Sequence, residues 1–216
     1  ENGEFNLEYE ALDLNQLSRD VLTIVEMRAA EAGITLEYGK DSDEVKYPYV
    51  YGSALHLRQI FVNVYSNAIK YNHVGGRIMT HFKLLGQEGD QVRYEWQISD
   101  TGIGMKPEFL EHIFEPFAQE RTDARSIYRG TGLGMAIVKS LIDRMGGTIE
   151  VTSEEGVGST FRIELSFRIA AKEELIEKKE RLKEGSVEGL HLLMAEDNEL
   201  NAEIAKLQLE EAGAEV

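Results

Sequence analysis

The chain has 216 residues, 42% of them hydrophobic and 29% charged, an ordinary balance for a soluble globular protein of one or two domains. Its formal net charge of -16 argues against a nucleic-acid-binding surface, and its lack of cysteine excludes disulfides, thiolate metal sites and cysteine nucleophiles. No apolar run is long enough to span a bilayer, and the first residues lack the positive start and apolar core of a signal peptide.

The first fifty residues predict one helix among short strands. Asp13 can cap a helix over 14–32, because the apolar residues that follow it recur at helical spacing and bury one face. Alternating and apolar stretches predict strands over 8–12, 34–38 and 48–51.

A long helix is predicted over 53–71, with Ser53 as its cap. Besides an apolar core stripe it carries a polar stripe, at positions i, i+4, i+7 and i+8, made of Asn63, Asn67, Lys70 and Tyr71. Asparagine favours caps over helix interiors, amide oxygens suit Mg²⁺, and lysine meets phosphate as a point charge. The stripe therefore indicates either a binding surface or an ordinary exposed face.

Two strands, predicted over 77–85 and 91–99 around a hairpin loop, lead straight into Asp100-Thr101-Gly102-Ile103-Gly104. A carboxylate at a strand end can accept a hydrogen bond from an exocyclic amine, and alternating glycines let a ligand approach the backbone. The alternative is a glycine-rich turn in which the aspartate caps a helix.

A second glycine-rich stretch, Gly130-Thr131-Gly132-Leu133-Gly134, opens a helix predicted over 134–145. The free N–H groups and the positive dipole end of such a helix favour phosphate, although a flexible loop before a core helix has the same pattern. A short helix over 107–113 and Phe114-Glu115-Pro116-Phe117 come before it. The polar segment that follows, up to residue 129, is typical of a lid.

The last part of the chain predicts a hairpin and then a change of domain. Strands over 148–153 and 160–167 complete a first domain, 1–168, and a Lys- and Glu-rich linker covers 169–188. In the segment 189–216, a strand over 190–195 and a helix over 199–212 are too few to close a core. This segment is therefore part of a second domain or docks on the first.

The mixture of helices and hairpin neighbours predicts an α/β (α+β) two-layer sandwich, in which helices cover one face of a mixed sheet. A doubly wound parallel sheet fits less well, because neither glycine-rich turn has the βαβ context of a dinucleotide fingerprint.

Taken in order, these stretches resemble the ATP-binding catalytic domain of sensor histidine kinases, a branch of the GHKL ATPase/kinase superfamily. Residues 57–71 look like its N box, 100–104 its G1 box, 114–117 its F box, 130–134 its G2 box and 156–160 its last glycine-rich element. The resemblance covers residues 1–168 and implies the GHKL ATP-binding fold, with ATP and Mg²⁺ as cofactors.

The resemblance also implies roles for single residues. Asp100 would accept from the adenine amino group, Asn67 would hold Mg²⁺, and Asn63 and Lys70 would act catalytically at the phosphates. A lid over 118–131 would close the site, and Arg125 or Arg129 would touch the γ-phosphate. The implied nucleotide-binding residues are Asn63, Asn67, Lys70, Tyr71, Asp100, Gly102, Ile103, Gly104, Arg129, Gly130, Thr131, Gly132, Leu133, Gly134 and Thr160.

Residues 192–198 are similar to the opening of a response-regulator receiver domain, a flavodoxin-like fold that would be truncated here. Glu196 and Asp197 would be its Mg²⁺-binding acidic pair, without a bound ion. The phosphoacceptor aspartate, expected two strands later, is absent, so the receiver part of this fragment could not be phosphorylated. A kinase domain followed by a receiver domain implies that the full protein would be a hybrid kinase.

The resemblance implies a protein-histidine kinase that transfers the γ-phosphate of ATP to a histidine on a dimerisation domain. The expected partners are this phosphoacceptor domain of the same protein and a receiver domain in cis or a response regulator, with no nucleic acid and no direct membrane contact. The expected location is cytoplasmic, and a membrane anchor elsewhere in the protein is compatible with it. No histidine here has the family's phosphoacceptor context.

Two other functions stay open. A GHKL ATPase, as in type II topoisomerases or mismatch-repair proteins, needs a glutamate one helical turn before the metal asparagine to activate water, and Asn63 stands there. A nucleotide-binding scaffold without chemistry is the other alternative.

Overall fold

The computed structural model describes residues 9–39, 45–119, 131–176, 189–195 and 199–216, without the side chains of residues 199–201, 204 and 211. The strands are β1 (Glu10–Asp13), β2 (Thr35–Tyr38), β3 (Tyr49–Gly52), β4 (Arg77–Glu88), β5 (Gln91–Asp100), β6 (Thr148–Glu154) and β7 (Gly158–Ile169). The helices are α1 (Leu14–Glu31), α2 (Ala54–Lys70), α3 (Pro107–Leu110), α4 (Gly134–Arg144) and α5 (Glu199–Glu211).

All seven strands form one mixed sheet. Six of them follow the order β1-β3-β7-β5-β4-β2, and β6 pairs with β7 beside this path. The pair β2–β4 is parallel and the other pairs are antiparallel. Strands β6 and β3 share one edge of β7, where β6 pairs with residues 158–164 and β3 pairs with residues 168 and 169. The predicted mixed sheet is confirmed.

Helices α1, α2 and α4 pack on one face of this sheet. On β7 the side chains alternate, so that Phe161, Ile163, Leu165 and Phe167 are buried while Arg162 between them is exposed. The buried set joins the apolar stripes of the helices in one core. This is the period-2 pattern of a sheet with one covered face, which confirms the two-layer sandwich.

The two longest helices begin as their sequences dictate and are joined by a buried ion pair. Asp13 caps α1, because its carboxylate accepts the backbone N–H of Asn15 at 2.8 Å. Between the helices, Arg58 of α2 donates to Asp20 of α1, whose side chain is 3% exposed. Asp20 also accepts from the amide of Gln16 at 2.7 Å.

The prediction that Ser53 is the N-cap residue of α2 is confirmed, but its side chain does not make the capping bond. The residue stands at the N-cap position, but its hydroxyl makes no cap bond and lies 2.7 Å from the ring Nδ1 of buried His56. Burial and the nearby Arg144 lower the pKa of His56, which keeps the ring neutral at pH 7.

The long hairpin β4–β5 extends beyond its predicted limits. A loop is predicted over 86–90, but the strands pair as far as Glu88 and Gln91 and leave only Gly89 and Asp90 in the turn. Gly89 allows this tight turn because it adopts a φ of 58°. The short helix α3 ends at Leu110, three residues earlier than the pattern predicts.

The segment after the sheet is described in part. Residues 172–176 are helical, and there Glu174 accepts from the hydroxyl of Tyr51 on β3. The strand predicted over 190–195 is reduced to a parallel bridge between His191 and Glu215. Helix α5 contacts α1 through an ion pair of 2.5 Å between Arg28 and Glu203.

None of the helices in the described ranges combines the length and the apolar character needed to cross a bilayer.

Candidate functional site

The predicted polar stripe lies on α2, on the side away from the core. Leu57, Ile60 and Val64 are fully buried in the core, whereas Asn63, Asn67 and Lys70 are half-buried. The side-chain amide of Asn63 donates to the carbonyl of Gln59 at 2.8 Å. Its oxygen faces another element, since a Cβ built on Gly134 would lie 3.0 Å from that oxygen.

Gly134 is the first residue of α4, so the stripe begins beside a helix N-terminus. The N-cap residue is Leu133, whose side chain makes no cap bond. The N–H groups of the first turn of α4 therefore have no side-chain acceptor from the N-cap residue, and the helix dipole adds partial positive charge there. Thr131 lies at the same end, where its hydroxyl is 3.4 Å from the N–H of Leu133.

Gly132 joins the N-terminus of α4 to the segment 114–117. Its carbonyl accepts the N–H of Phe117 at 3.0 Å, and a Cβ on Gly132 would lie 2.8 Å from the backbone carbon of Phe117. A side chain at this position, where φ is +70°, would push the two segments apart. Arg125, Arg129, Gly130 and most of the predicted lid over 118–131 lie outside the described residues.

At the other end of the stripe, the turn after β5 packs on the C-terminus of α2. The N–H of Ile103 donates to the carbonyl of Tyr71 at 2.9 Å, and a Cβ on Gly102 would overlap the same oxygen. Lys70 stands beside this turn with its Nζ 4.9 Å from the ring centroid of Tyr71. Glycine at 102 is thus what allows the turn to touch the helix.

Asp100 is held in this turn as a half-buried acid. Its Oδ1 accepts the N–H of Gly102 at 2.8 Å. Burial raises the pKa of the Asp100 carboxyl above its ordinary value of 3.8, while the N–H groups of Gly102 and Ser159 act in the opposite direction. The alternative that Asp100 caps a helix is wrong, because α3 begins later with Lys106 as its N-cap.

The hairpin β6–β7 closes the turn from its other side. Gly156 donates to the carbonyl of Ile103 at 2.7 Å, and a Cβ on Gly104 would overlap the carbonyl of Glu154. Gly158 packs equally closely on the carbonyl of Asp100. The predicted residue Thr160 lies on β7 opposite Ser99 of β5, and its hydroxyl donates to the hydroxyl of Ser99 at 2.9 Å.

One residue of this arrangement escaped the sequence analysis. The hydroxyl of Ser153 accepts the N–H of Met105 at 2.8 Å and donates to the carbonyl of Gly158 at 2.9 Å. It therefore fixes the turn to the hairpin. Nothing in the sequence marks this serine, since it lies 48 residues from Met105 within an ordinary strand.

Asn63, Asn67 and Tyr71 thus form one line along α2, from the N-terminus of α4 to the turn of Asp100. Eight residues of helix make this line about 12 Å long. It offers neutral amides in the middle, backbone N–H groups at one end and a half-buried carboxylate at the other. Such a line suits an elongated ligand with an anionic end and an amine-bearing end.

A metal ion bound here would need ligands from the bound molecule as well. Among the described residues no group of three or more His, Asp or Glu side chains is arranged to hold a metal. The half-buried amide of Asn67 fits a hard cation that takes most of its oxygens from phosphates and water. Glu196 and Asp197, the predicted acidic pair, lie outside the described residues.

Comparisons with known proteins show the family to which the chain belongs. Residues 52–169 match the family described as histidine kinase-, DNA gyrase B-, and HSP90-like ATPase. Sensor histidine kinase AruS of Pseudomonas aeruginosa is 35% identical over 96% of this chain, and autoinducer 2 sensor kinase/phosphatase LuxQ of Vibrio harveyi is 32% identical over 94% of it. The chain spans 20% and 24% of the lengths of these relatives.

Full-length ShkA, solved in complex with AMPPNP, is 30% identical, with a TM-score of 0.62 over 98% of this chain and 40% of its own. The family match covers more than half of the 216 residues and includes the whole line along α2 and both of its ends. The chain therefore belongs to the histidine kinase-, DNA gyrase B- and HSP90-like ATPase family, as a catalytic domain of the sensor histidine kinase type.

Proposed function

We propose that the chain binds ATP with Mg²⁺ along α2 and presents the γ-phosphate to a histidine on a dimerisation domain of the same protein. The observation that carries the proposal is the single line formed by Asn63, Asn67 and Tyr71. Its ends meet the N-terminus of α4, near Gly134, and the turn of Asp100.

The two ends of the line suit the two ends of the nucleotide. The half-buried carboxylate of Asp100 is an acceptor for the adenine amino group, and the phosphates fit the N–H groups that follow Gly132 and Leu133. Lys70 adds a cation for the phosphate chain, and Asn67 offers an amide oxygen to the metal. Bound Mg²⁺ supplies charge neutralisation at the phosphates, and the protein supplies position.

Asn63 argues against a hydrolytic ATPase. An amide at this position cannot take a proton from water, and its N–H group is already donated to Gln59. The residue therefore favours a transfer reaction in which the accepting group comes from another domain.

The first test is Asp100→Ala, measured by titration calorimetry with ATP. Loss of a hydrogen bond to a buried charge should weaken binding by roughly 1.5–3 kcal/mol, or about ten- to a hundredfold. Thermal unfolding of the variant serves as the folding control, and unchanged affinity in a folded variant contradicts the role of Asp100.

The second test separates the metal contact from the rest of the site. Asn67→Ala should remove mainly the Mg²⁺-dependent part of the ATP affinity, measured by calorimetry with and without Mg²⁺. Equal losses under the two conditions would show that Asn67 is no metal ligand.

Radiolabelled ATP distinguishes the three functions. With the dimerisation domain of the parent protein added, a kinase module transfers label to a histidine and releases little free phosphate. Rapid phosphate release without that domain supports an ATPase, and binding with neither product supports a silent scaffold.

The wider assignments rest on the same proposal. The segment 189–216 would open a receiver domain with Glu196 and Asp197 as its acidic pair, and the parent protein would be a cytoplasmic or membrane-anchored hybrid kinase. A receiver in cis or a response regulator would then take the phosphoryl group from the histidine.

A further inference from the structure

A cavity of about 230 Å³ lies between the first half of α1 and the sheet, on the side of α2 that faces away from the polar stripe. Its walls include, from the two helices and two strands, Leu14, Val21, Phe61, Tyr65, Phe82 and Trp96. Phe61 and Tyr65 stand two positions before Asn63 and Asn67, so they point roughly opposite to the polar stripe. The cavity is therefore separate from the nucleotide site.

One part of the lining of this cavity is aromatic and centres on Trp96, whereas α1 contributes aliphatic side chains such as Leu14 and Val21. Its ring lies 5.2 Å from the rings of both Phe61 and Phe82, at interplanar angles of 56° and 59°. Tilted rings present both faces and edges to the space between them, which suits a planar aromatic guest. Trp96 itself is only half-buried, so part of its ring is accessible to such a molecule.

Two of the polar residues that line the cavity form a pair. The hydroxyls of Tyr65 and Thr80 are 2.7 Å apart, and both residues line the cavity. One hydroxyl donates to the other, so the pair retains a proton and lone pairs for a third group. Burial raises the pKa of Tyr65 to about 12, so this hydroxyl stays neutral at physiological pH. The pair suits a neutral hydroxyl or N–H group rather than a charged one.

The volume of the cavity limits the size of its occupant. Tyr38 and Val45 complete its lining beside the helices and the aromatic residues of the sheet. An apolar cavity of roughly 150 Å³ is enough to hold benzene. We propose that the hollow between α1, α2 and the sheet binds a small neutral aromatic molecule of one or two rings that carries one hydroxyl or N–H group.

The test uses 4-fluorophenol as the probe and the full chain of 216 residues without nucleotide. Trp96 is the sole tryptophan, so its indole N–H gives a single, assigned NMR signal. Titration should displace this signal in a saturable way and broaden the fluorine resonance of the probe. No saturable displacement up to the solubility limit of 4-fluorophenol overturns the proposal.

A matched pair of variants locates the binding. Ser18 is exposed at the edge of the cavity on α1, so Ser18→Phe should fill the space and abolish the saturable shift. Thr23→Phe, at an exposed position of the same helix that does not line the cavity, should leave it unchanged. Displacement that persists in a folded Ser18→Phe variant overturns the assignment, and Ser18→Leu takes its place if the larger side chain prevents folding.

The role of the Tyr65 and Thr80 hydroxyls is tested with a probe that has no hydroxyl group. Fluorobenzene should bind about five- to tenfold more weakly than 4-fluorophenol, the effect of one lost hydrogen bond. Tyr65→Phe should remove most of this difference. An unchanged ratio of the two affinities in Tyr65→Phe would show that the ligand needs no hydroxyl or N–H group.

Discussion

Asp100, the proposed acceptor for adenine, weakens the fold that carries it. Its carboxylate is partly removed from water, and backbone N–H groups of Gly102 and Ser159 compensate it in part. Since burial raises its pKa in the folded state, the folded protein holds this proton more tightly than the unfolded chain. Stability is therefore lost as the pH rises from the ordinary value of 3.8 through the raised value, and the loss persists at neutral pH.

Asp100→Asn should accordingly raise the melting temperature at pH 8 in the absence of nucleotide. The amide oxygen can still accept from Gly102, but no charge is buried. The difference from the unmodified protein should shrink as the pH falls and vanish below the unfolded-state pKa of about 3.9. Scanning calorimetry between pH 3.5 and about pH 8 measures it. An Asp100→Asn variant that melts lower at pH 8 would show that the carboxylate stabilises the empty domain.

At the scale of elements, the pair of Asp20 and Arg58 ties α1 to α2. Their side chains are 3% and 12% exposed, so water screens their attraction little. Asp20→Asn removes the negative charge of this pair beside a nearly buried guanidinium and should destabilise the domain by about 3 kcal/mol.

Urea unfolding measures this loss, and a second ion pair is the control. Lys139 and Asp143 pair on the surface of α4 with side chains 39% and 51% exposed. Asp143→Asn should cost about 0.5 kcal/mol or less, since water already screens that pair. Equal effects of the two substitutions would show that burial does not govern the strength of the pair between the helices.

The elements differ in how far their sequence could predict them. Helix α1 and its Asp13 cap follow from local pattern, because apolar spacing and capping act within a few residues. The polar stripe was also predictable, since helical spacing alone puts Asn63, Asn67 and Tyr71 on one side. The sharing of one edge of β7 by β3 and β6 was not predictable, because it depends on hydrogen bonds between distant residues.

The same reason explains what was missed or wrong at the site. Ser153 reaches Met105 across 48 residues of sequence, which no local pattern encodes. The hydroxyl of Ser53 does not cap α2, because it forms a hydrogen bond with the ring of His56 instead. Contacts of this kind are set by tertiary packing, which overrides local preference.

At the scale of the whole molecule, Arg28 connects the sheet domain to the segment 189–216. One guanidinium nitrogen of Arg28 lies 2.5 Å from a carboxylate oxygen of Glu203 on α5. Its other terminal nitrogen donates to the hydroxyl of Ser66 on α2 at 3.3 Å. An ion pair at this degree of exposure contributes about 0.5–1 kcal/mol.

Arg28→Gln and Glu203→Gln should therefore each lower the hydrogen-exchange protection of α5 by about two- to fivefold. The double variant should lose no more than either single one, because both substitutions remove the same interaction. Strictly additive losses would mean that the two side chains act on α5 independently.

The position of β7 in the chain also has a consequence for protein synthesis. This strand joins the pair β1–β3 to the group β5–β4–β2, yet it is made of Gly158–Ile169. Until those residues leave the ribosome, the sheet exists as two unconnected pieces, and the apolar faces of α1 and α2 lack a complete surface to cover them. Those apolar faces are therefore exposed to aggregation while the residues before Gly158 are being made, and the core is completed only when this strand is available.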